Sequence, residues 1–266
     1  MRAGRVLDRA LRGLGVTVTV LAVLFVLAPV VLTVVLSFAN DPGISFPPES
    51  WGTDRWTDLV TSEKWLTALG LSVRLGVCSA LLTLLVSVLA LLAIHRSRLR
   101  FGELLEGVSL ITLIIPVSAY AVAMYAVFAQ YELLGTFHGL VVAHAMLSVP
   151  LVMLVGGAAL RGVPVELELV AITLGASRVR AWVGVTLRLA LPALAGGFVM
   201  AFQHSFEEAV LINFIGGPGL VTLPKAIFDS VQFGSDPVIT AIAAAIVLVS
   251  STVVAVPLAL ARGAKR

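Results

Sequence analysis

Long apolar runs, separated by short polar or glycine- and proline-rich connections, dominate the pattern of this chain. A membrane-spanning helix needs about 20 consecutive, mostly apolar residues. Six runs reach that length, and each predicts a helix, because a backbone that faces lipid must satisfy its hydrogen bonds within its own segment. The pattern therefore predicts an all-α, polytopic membrane protein with residues 1–266 in a single transmembrane domain. The predicted helices cover about residues 15–38, 68–94, 107–129, 138–160, 189–214 and 237–261.

Composition agrees with this pattern. The 266 residues are 59% hydrophobic and 12% charged, with a mean hydropathy of +1.05. Soluble domains carry roughly 25% charged residues, so an ordinary soluble domain is excluded. The first apolar run is longer than the ~7–15 residues of a signal-peptide core, which favours a retained helix. The one cysteine, Cys78, allows no intrachain disulfide.

Basic residues set the predicted orientation. Fourteen of the 18 Lys and Arg residues fall on one side of the six-helix arrangement. The positive-inside rule places that side, with both termini, in the cytoplasm. The net charge of +3 therefore indicates membrane topology rather than a nucleic-acid partner. These residues are Arg2, Arg5, Arg9, Arg12, Arg96, Arg98, Arg100, Arg161, Arg178, Arg180, Arg188, Arg262, Lys265 and Arg266.

The connection at 161–188 is long and regular for a simple turn. Pro164 suits a helix start, and Gly175 suits a helix end. Ser177 can cap a second short helix over 178–186. By pattern alone, the element is either a docking surface for a partner or a solvated amphipathic loop. No phosphate-binding G-x-x-x-x-G-K-[ST], H-E-x-x-H or G-x-S-x-G motif occurs, so no catalytic residue and no metal site is predicted.

Two blocks of the chain resemble a known family. The segment "LLGTFHGLVVAHAMLSVPLVMLVGGAALRGVPVELELVAITLGASRVRAWVGVTL", 133–187, resembles inner-membrane permease subunits of ABC importers. The segment "SFEEAVLINFIGGPGLVTLPKAIFDSVQFGSDPVITAIAA", 205–244, resembles the spermidine/putrescine branch of that family. That branch usually has Ser-Phe-Asp-Glu, then Gly-Pro-Gly and Thr-Leu-Pro. The resemblance extends over nearly the whole chain and implies the importer-permease fold.

The coupling loop departs from the family pattern of Glu-Ala-Ala, three residues, then Gly. Counting back from Gly175, the family glutamate falls on Leu169, and Glu168 stands one place early. Arg188 stands where the family has a proline. These departures favour a core of two different permease subunits, in which the partner carries the regular loop. The candidate coupling residues are Glu166, Glu168, Leu169, Val170, Ala171, Leu174, Gly175, Ala176 and Ser177.

The resemblance also implies partners and a location. It implies two copies of a cytoplasmic ABC ATPase, a second permease subunit (a related chain or a second copy), and an extracytoplasmic solute-binding protein. The ATPase would bind ATP and magnesium, so this chain would need no cofactor and would not be an enzyme. The chain would lie among the lipids of the bacterial inner membrane.

Adjacent carboxylates stand in the predicted fifth helix. Glu207 lies about 27 Å from Leu189 at 1.5 Å per residue, in the outer part of a ~30 Å hydrocarbon core. His204, Glu207 and Glu208 share one helix face. The acids either guide a cationic substrate, or pair structurally with His204, Arg74 or a neighbouring subunit, or share a metal ion with His204. The candidate pathway residues are His204, Glu207, Glu208, Asn213, Tyr120, Pro116 and Pro150, and those of the outer loop are Gly217, Pro218, Gly219, Thr222, Leu223 and Pro224.

The predicted function is thus the translocation subunit of an ATP-driven importer for a small solute, with a polyamine as the expected substrate. Another solute carried by the same kind of importer is the alternative. Two alternatives lie outside the class of ABC importers, namely an autonomous secondary carrier and a non-transporting membrane scaffold.

Overall fold

The structure is a computed structural model that describes residues 2–96, 101–234 and 236–263, without the side chains of 2–10, 103 and 253–263. The described residues form helices and turns, with no strand among them, which confirms the all-α prediction. A π-helical segment, Trp182–Leu187, joins α8 to α9. The helices are α1 (Arg2–Leu36), α2 (Asp54–Thr61), α3 (Glu63–Arg96), α4 (Gly102–Ile111), α5 (Val117–Gln130), α6 (Phe137–Arg161), α7 (Val165–Thr173), α8 (Arg178–Ala181), α9 (Arg188–Glu207), α10 (Val210–Ile215), α11 (Leu223–Phe233) and α12 (Val238–Gly263).

Four helical runs in the described part are long and apolar enough to cross a membrane by length and composition. They correspond to the first, second, fourth and fifth predicted helices, and they cover Leu11–Leu36, Glu63–Arg96, Phe137–Arg161 and Arg178–Glu207. At the third predicted position the apolar helix is shorter, Val117–Gln130. At the sixth, α12 runs over Val238–Gly263, and the part whose side chains are described, Val238–Thr252, is apolar. Of the basic residues predicted to be cytoplasmic, Arg98, Arg100, Lys265 and Arg266 lie outside the described residues.

The prediction of one helix over 107–129 is wrong. α4 ends at Ile111, and α5 begins at Val117, with Pro116 at its N-cap. Proline has no N–H to donate to the preceding turn, and it disfavours the α conformation of the residue before it. The proline therefore starts a helix here rather than kinking one.

The prediction of one continuous helix over 189–214 is wrong, although α9 begins at Arg188, close to the predicted start. The expected short helix over 178–186 is not separate, because α8 continues through the π-helical segment into α9. α9 then stops at Glu207, and Glu208 has an extended backbone with a ψ of 112°. A new short helix, α10, follows.

The chain divides into two compact units. One contains residues 1–66 and 229–266, and the other contains 67–228. In the first unit, α12 packs against α1 and α2. Its connection after α1 is ordered around the buried Arg55 guanidinium, which donates to the carbonyls of Leu36 at 2.6 Å and Gly43 at 2.7 Å. The prediction of a single permease domain over 1–266 stays a prediction.

The second unit is centred on the packing of α6 against α9. Small residues permit this close approach, as they do between membrane helices generally. A Cβ at Gly197 of α9 would already stand 3.4 Å from Val152 of α6. α5 and α10 pack together with α6 around a buried apolar cluster. That cluster includes Leu75, Tyr120, Phe128, Leu140, Leu147, Leu211, Ile212 and Ile215. All the candidate site residues lie in this unit.

Candidate functional site

The two adjacent glutamates have different surroundings. Glu207, the last residue of α9, is exposed, and its carboxylate accepts a hydrogen bond from Gln203 Nε2 at 3.2 Å. Glu208 is half-buried, and its Oε1 accepts from the backbone N–H groups of Val210 at 2.5 Å and Leu211 at 3.1 Å. A carboxylate is favoured at this position because the first N–H groups of a helix lack partners within the helix. Glu208 therefore starts α10, whereas the Glu207 carboxylate faces outward.

His204 belongs to a reciprocal pair of contacts between α6 and α9. Its Nδ1 lies 3.1 Å from the Ser148 hydroxyl, and Nδ1 of His144 lies 2.9 Å from the Ser205 hydroxyl. Each helix thus contributes one histidine and one serine. His144 is buried, and its Nε2 has no hydrogen-bond partner among the described residues. Arg74, the other expected partner of the acids, lies over the Phe137 ring at 5.6 Å from its centroid.

The remaining pathway candidates divide by exposure. Tyr120 and Pro150 are buried inside the unit, and the Tyr120 hydroxyl has no hydrogen-bond partner in the part of the chain that is described. Pro116 and Asn213 are exposed. Asn213 Oδ1 accepts from Lys225 Nζ at 2.8 Å, which connects α10 to α11. Of the pathway candidates, Glu207, Asn213 and Pro116 therefore have side chains exposed on the surface of the chain.

The outer loop between α10 and α11 is fixed at both ends. Gly135 N–H donates to the Ile215 carbonyl at 2.9 Å, and a Cβ on Gly217 would stand only 3.1 Å from the α-carbon of Gly135. At the other end, Leu223 N–H donates to the Ser72 hydroxyl at 2.7 Å, next to buried Thr222. The middle of the loop is exposed at Pro218 and Gly219, and Pro224 is half-buried in the first turn of α11.

The predicted short helix of the coupling loop is confirmed as α7. Pro164 precedes it, and Gly175 follows with a φ of +94°, a left-handed conformation that glycine adopts without steric cost. Ser177 caps the next helix by accepting from the Arg180 N–H at 3.4 Å. Glu166 is exposed, and Ala171 and Ala176 are half-buried.

α7 and its C-terminal turn present apolar side chains outward. Leu169 is 56% exposed, Val170 is 55% exposed and Leu174 is 83% exposed. Exposed apolar patches mark sites of contact with another protein or with a membrane. The Leu169 position, where the family glutamate falls, is thus part of an apolar outer surface in this chain.

Glu168, by contrast, is buried and faces the protein interior. Its Oε1 accepts from Arg96 Nε at 2.6 Å and from the Thr186 hydroxyl. Sequence reasoning included neither Arg96 nor Thr186 in the site, and it also missed Ser148 and Ser205. The spacing of His144 and Ser148, one helical turn apart, is the one local signal that could have placed a polar face on α6. Within the described residues, no group of three or more His, Cys, Asp or Glu side chains could hold a metal ion.

Known proteins match this chain over most of its length. The family described as "Binding-protein-dependent transport system inner membrane component" matches residues 87–261. The spermidine/putrescine transport system permease protein PotC of Escherichia coli strain K12 is 27% identical over 248 residues, which are 93% of this chain and 92% of that protein. The putrescine transport system permease protein PotI of the same strain is 26% identical, covering 86% of this chain and 83% of PotI.

A third relative is named for the transport of a different solute, molybdenum. The molybdenum transport system permease protein ModB of Mycobacterium bovis is 32% identical over 198 residues, which are 69% of this chain and 74% of that protein. Among solved structures, a bacterial ABC transporter involved in the import of alginate matches with a TM-score of 0.73 at 14% identity, over 96% of both chains. An amino acid ABC transporter matches with a TM-score of 0.53 at 20% identity, over 78% of this chain and 96% of that one. These two likenesses concern the fold alone.

Proposed function

We propose that this chain carries a polyamine, because it belongs to the family of binding-protein-dependent transport system inner membrane components and is similar to PotC and PotI over most of its length. It is a permease subunit of an ABC importer in a bacterial inner membrane. The solute would reach it from an extracytoplasmic binding protein. In secondary transporters, binding sites lie near the membrane midplane and transport follows from rigid-body switching around them, and we propose the same arrangement here.

We propose that the chain crosses the membrane six times with both termini in the cytoplasm. The four long apolar runs supply four crossings. α5 and α12 supply the other two, with α4 and the turn before Pro116 extending the third. The basic residues at the termini and in the second and fourth connections support this orientation.

The apolar outer surface of α7 supports docking of an ATPase. Two ATPase copies and a second permease subunit would complete the importer. Leu174→Ser should reduce the ATPase copies retained by the purified complex, because it removes an apolar contact. Val60→Ser, at a 65% exposed residue of α2, is a matched control that should retain them. Equal retention of ATPase in both variants would contradict this assignment of the docking surface.

The observation that supports a cationic substrate is the exposed carboxylate of Glu207. It stands in a chain that is similar to PotC and PotI over most of its length. Glu208 is less suited, because the N–H groups of α10 occupy one of its oxygens. A hydrogen bond to a charged group contributes about 1.5–3 kcal/mol. Loss of one such contact to an ammonium group corresponds to roughly a 10- to 150-fold loss of affinity.

The test is uptake of radiolabelled putrescine by the reconstituted complex with its binding protein and ATP. We expect ATP-dependent uptake that falls by roughly 10- to 150-fold in Glu207→Gln. Glu132→Gln, at an exposed glutamate between α5 and α6, should leave uptake unchanged. Uptake that does not change in Glu207→Gln would reject the role of this carboxylate. Uptake of molybdenum but not of putrescine would replace the substrate with that of ModB.

A further inference from the structure

Glu168 inverts the usual distribution of charge on a surface helix. It is the buried residue of α7, whereas the apolar Leu169 and Val170 beside it are exposed. Charged side chains are almost never fully buried unless they are paired. Here the pair is explicit, since the side chains of Arg96 and Glu168 are 6% and 5% exposed and 2.6 Å apart.

The contacts of this pair join three parts of the fold. Arg96 is the last residue of the long apolar helix α3, and its Nη2 also donates to the Val163 carbonyl just before α7, at 3.3 Å. Thr186, whose hydroxyl donates to Glu168, is fully buried in the π-helical segment at the base of α9. One carboxylate therefore connects α7 directly to α3 and to the π-helical segment that leads into α9.

The π-helical segment is a suitable place for motion to enter α9. π-helical turns are rare and occur frequently at functional sites, because their backbone hydrogen bonds are displaced from the regular ladder. A Cβ built at Gly184 in this segment would meet no atom within 4 Å outside the segment's own backbone. The hydrogen bond from the Thr186 hydroxyl to Glu168 is a direct contact between this segment and α7.

We propose that Glu168 is a positioning residue that transmits movement of α7 into α3 and α9 through Arg96 and Thr186. The inference rests on the proposed docking of an ATPase on α7. It assigns the two faces of α7 different tasks. The apolar outer face receives the ATPase, and the single buried carboxylate on the inner face passes the displacement to the membrane helices.

The physical basis is the cost of leaving a buried charge without its partner. Glu168→Gln keeps the size of the side chain but leaves the Arg96 guanidinium without a counter-charge in a site from which water is excluded. Arg96 would then turn towards other partners or water, and α7 would lose its charge-paired connection to α3. The outer face of α7 would be unchanged, so docking and transmission can be separated experimentally.

The experiment is hydrogen–deuterium exchange of the intact complex, purified from its own membrane, with and without ATP and magnesium. In the wild type, ATP should change exchange both in α7 and in residues 182–187. In Glu168→Gln, the change in α7 should remain, and the change at 182–187 should fall by roughly 2- to 30-fold. Thr186→Val should have the same effect, which keeps the test usable if the charge variant does not assemble.

Matched controls separate a positioning role from a general loss of structure. Thr112→Val removes a hydroxyl that, among the described residues, bonds within its own turn, to the Ser109 carbonyl at 2.8 Å. Glu132→Gln removes an exposed carboxylate. Both controls should keep the ATP-dependent change at 182–187. The same loss in the controls as in the test variants would overturn the inference.

The outcomes also distinguish this inference from the proposed function. If Glu168→Gln and Thr186→Val keep the full response at 182–187, the positioning role is wrong and the importer assignment is unaffected. If no ATPase accompanies the wild-type chain, the proposed ATPase docking fails and the inference fails with it.

Discussion

Replacing Glu208 with alanine removes the carboxylate that starts α10. Two backbone N–H groups, those of Val210 and Leu211, then lose their acceptor. Loss of a side-chain cap costs about 0.5–2 kcal/mol, and the half-buried position and charged acceptor favour the upper half of that range. We therefore expect Glu208→Ala to lower the free energy of unfolding by about 1–2 kcal/mol, or the Tm by roughly 2–8 °C.

Glu207→Ala is the matched control, because it removes the adjacent carboxylate from an exposed position. Among the described residues its carboxylate accepts a hydrogen bond from the exposed Gln203 side chain, so the free energy of unfolding should change by less than about 0.5 kcal/mol. The assay is thermal unfolding of both variants in one detergent, followed by tryptophan fluorescence. Equal destabilisation by the two substitutions, or none by Glu208→Ala, would refute the division of roles between the carboxylates.

Two further predictions concern the α6–α9 contact and the connection after α1. Ser205→Ala should lower the free energy of unfolding by about 1–3 kcal/mol, because it leaves Nδ1 of the buried His144 unpaired; Ser148→Ala, beside half-buried His204, should cost less, and the reverse order in thermal unfolding would contradict the assignment. Hydrogen bonding by the Ser50 hydroxyl, opposed by burial and supported by backbone N–H groups, holds the pKa of Asp41 below its ordinary value of 3.8. The stabilisation from Asp41 should therefore be complete above about pH 4 and be lost as the pH falls through the lower folded pKa. Asp41→Asn should remove this part of the pH dependence of the Tm, and an unchanged pH profile would contradict it.

Local sequence signals predicted the local structure well. Pro164, Gly175 and Ser177 mark the start of α7, its end and the cap of α8, because each acts through its own backbone or the next turn. The all-α class follows from the lengths of the apolar runs. These features depend on neighbouring residues, so a single sequence contains the information.

The helix breaks were missed because hydropathy continues across them. The apolar run does not change at Pro116, although proline was itself the signal that a helix starts there. At Glu208 the break depends on a carboxylate that caps the helix two residues later, which no average over a window reveals. The buried Arg96–Glu168 pair could not be predicted from the sequence for another reason. Arg96 and Glu168 are 72 residues apart, so only the packed helices bring them together.

The departures of the coupling loop from the family pattern have a structural counterpart. The apolar Leu169 lies on the outer surface, and Glu168, one position earlier, turns inward to Arg96. A shift of one residue on a helix rotates a side chain by about 100°, which is enough to exchange an outward charge for a buried one.

Native mass spectrometry of the tagged chain, purified gently from its own membrane, tests the central claim most directly. The account predicts a complex that contains two ATPase copies and a second permease subunit. The mass of that second subunit distinguishes a related chain from a second copy of this one. Repeated mild preparations in which no ATPase accompanies the chain would contradict the account.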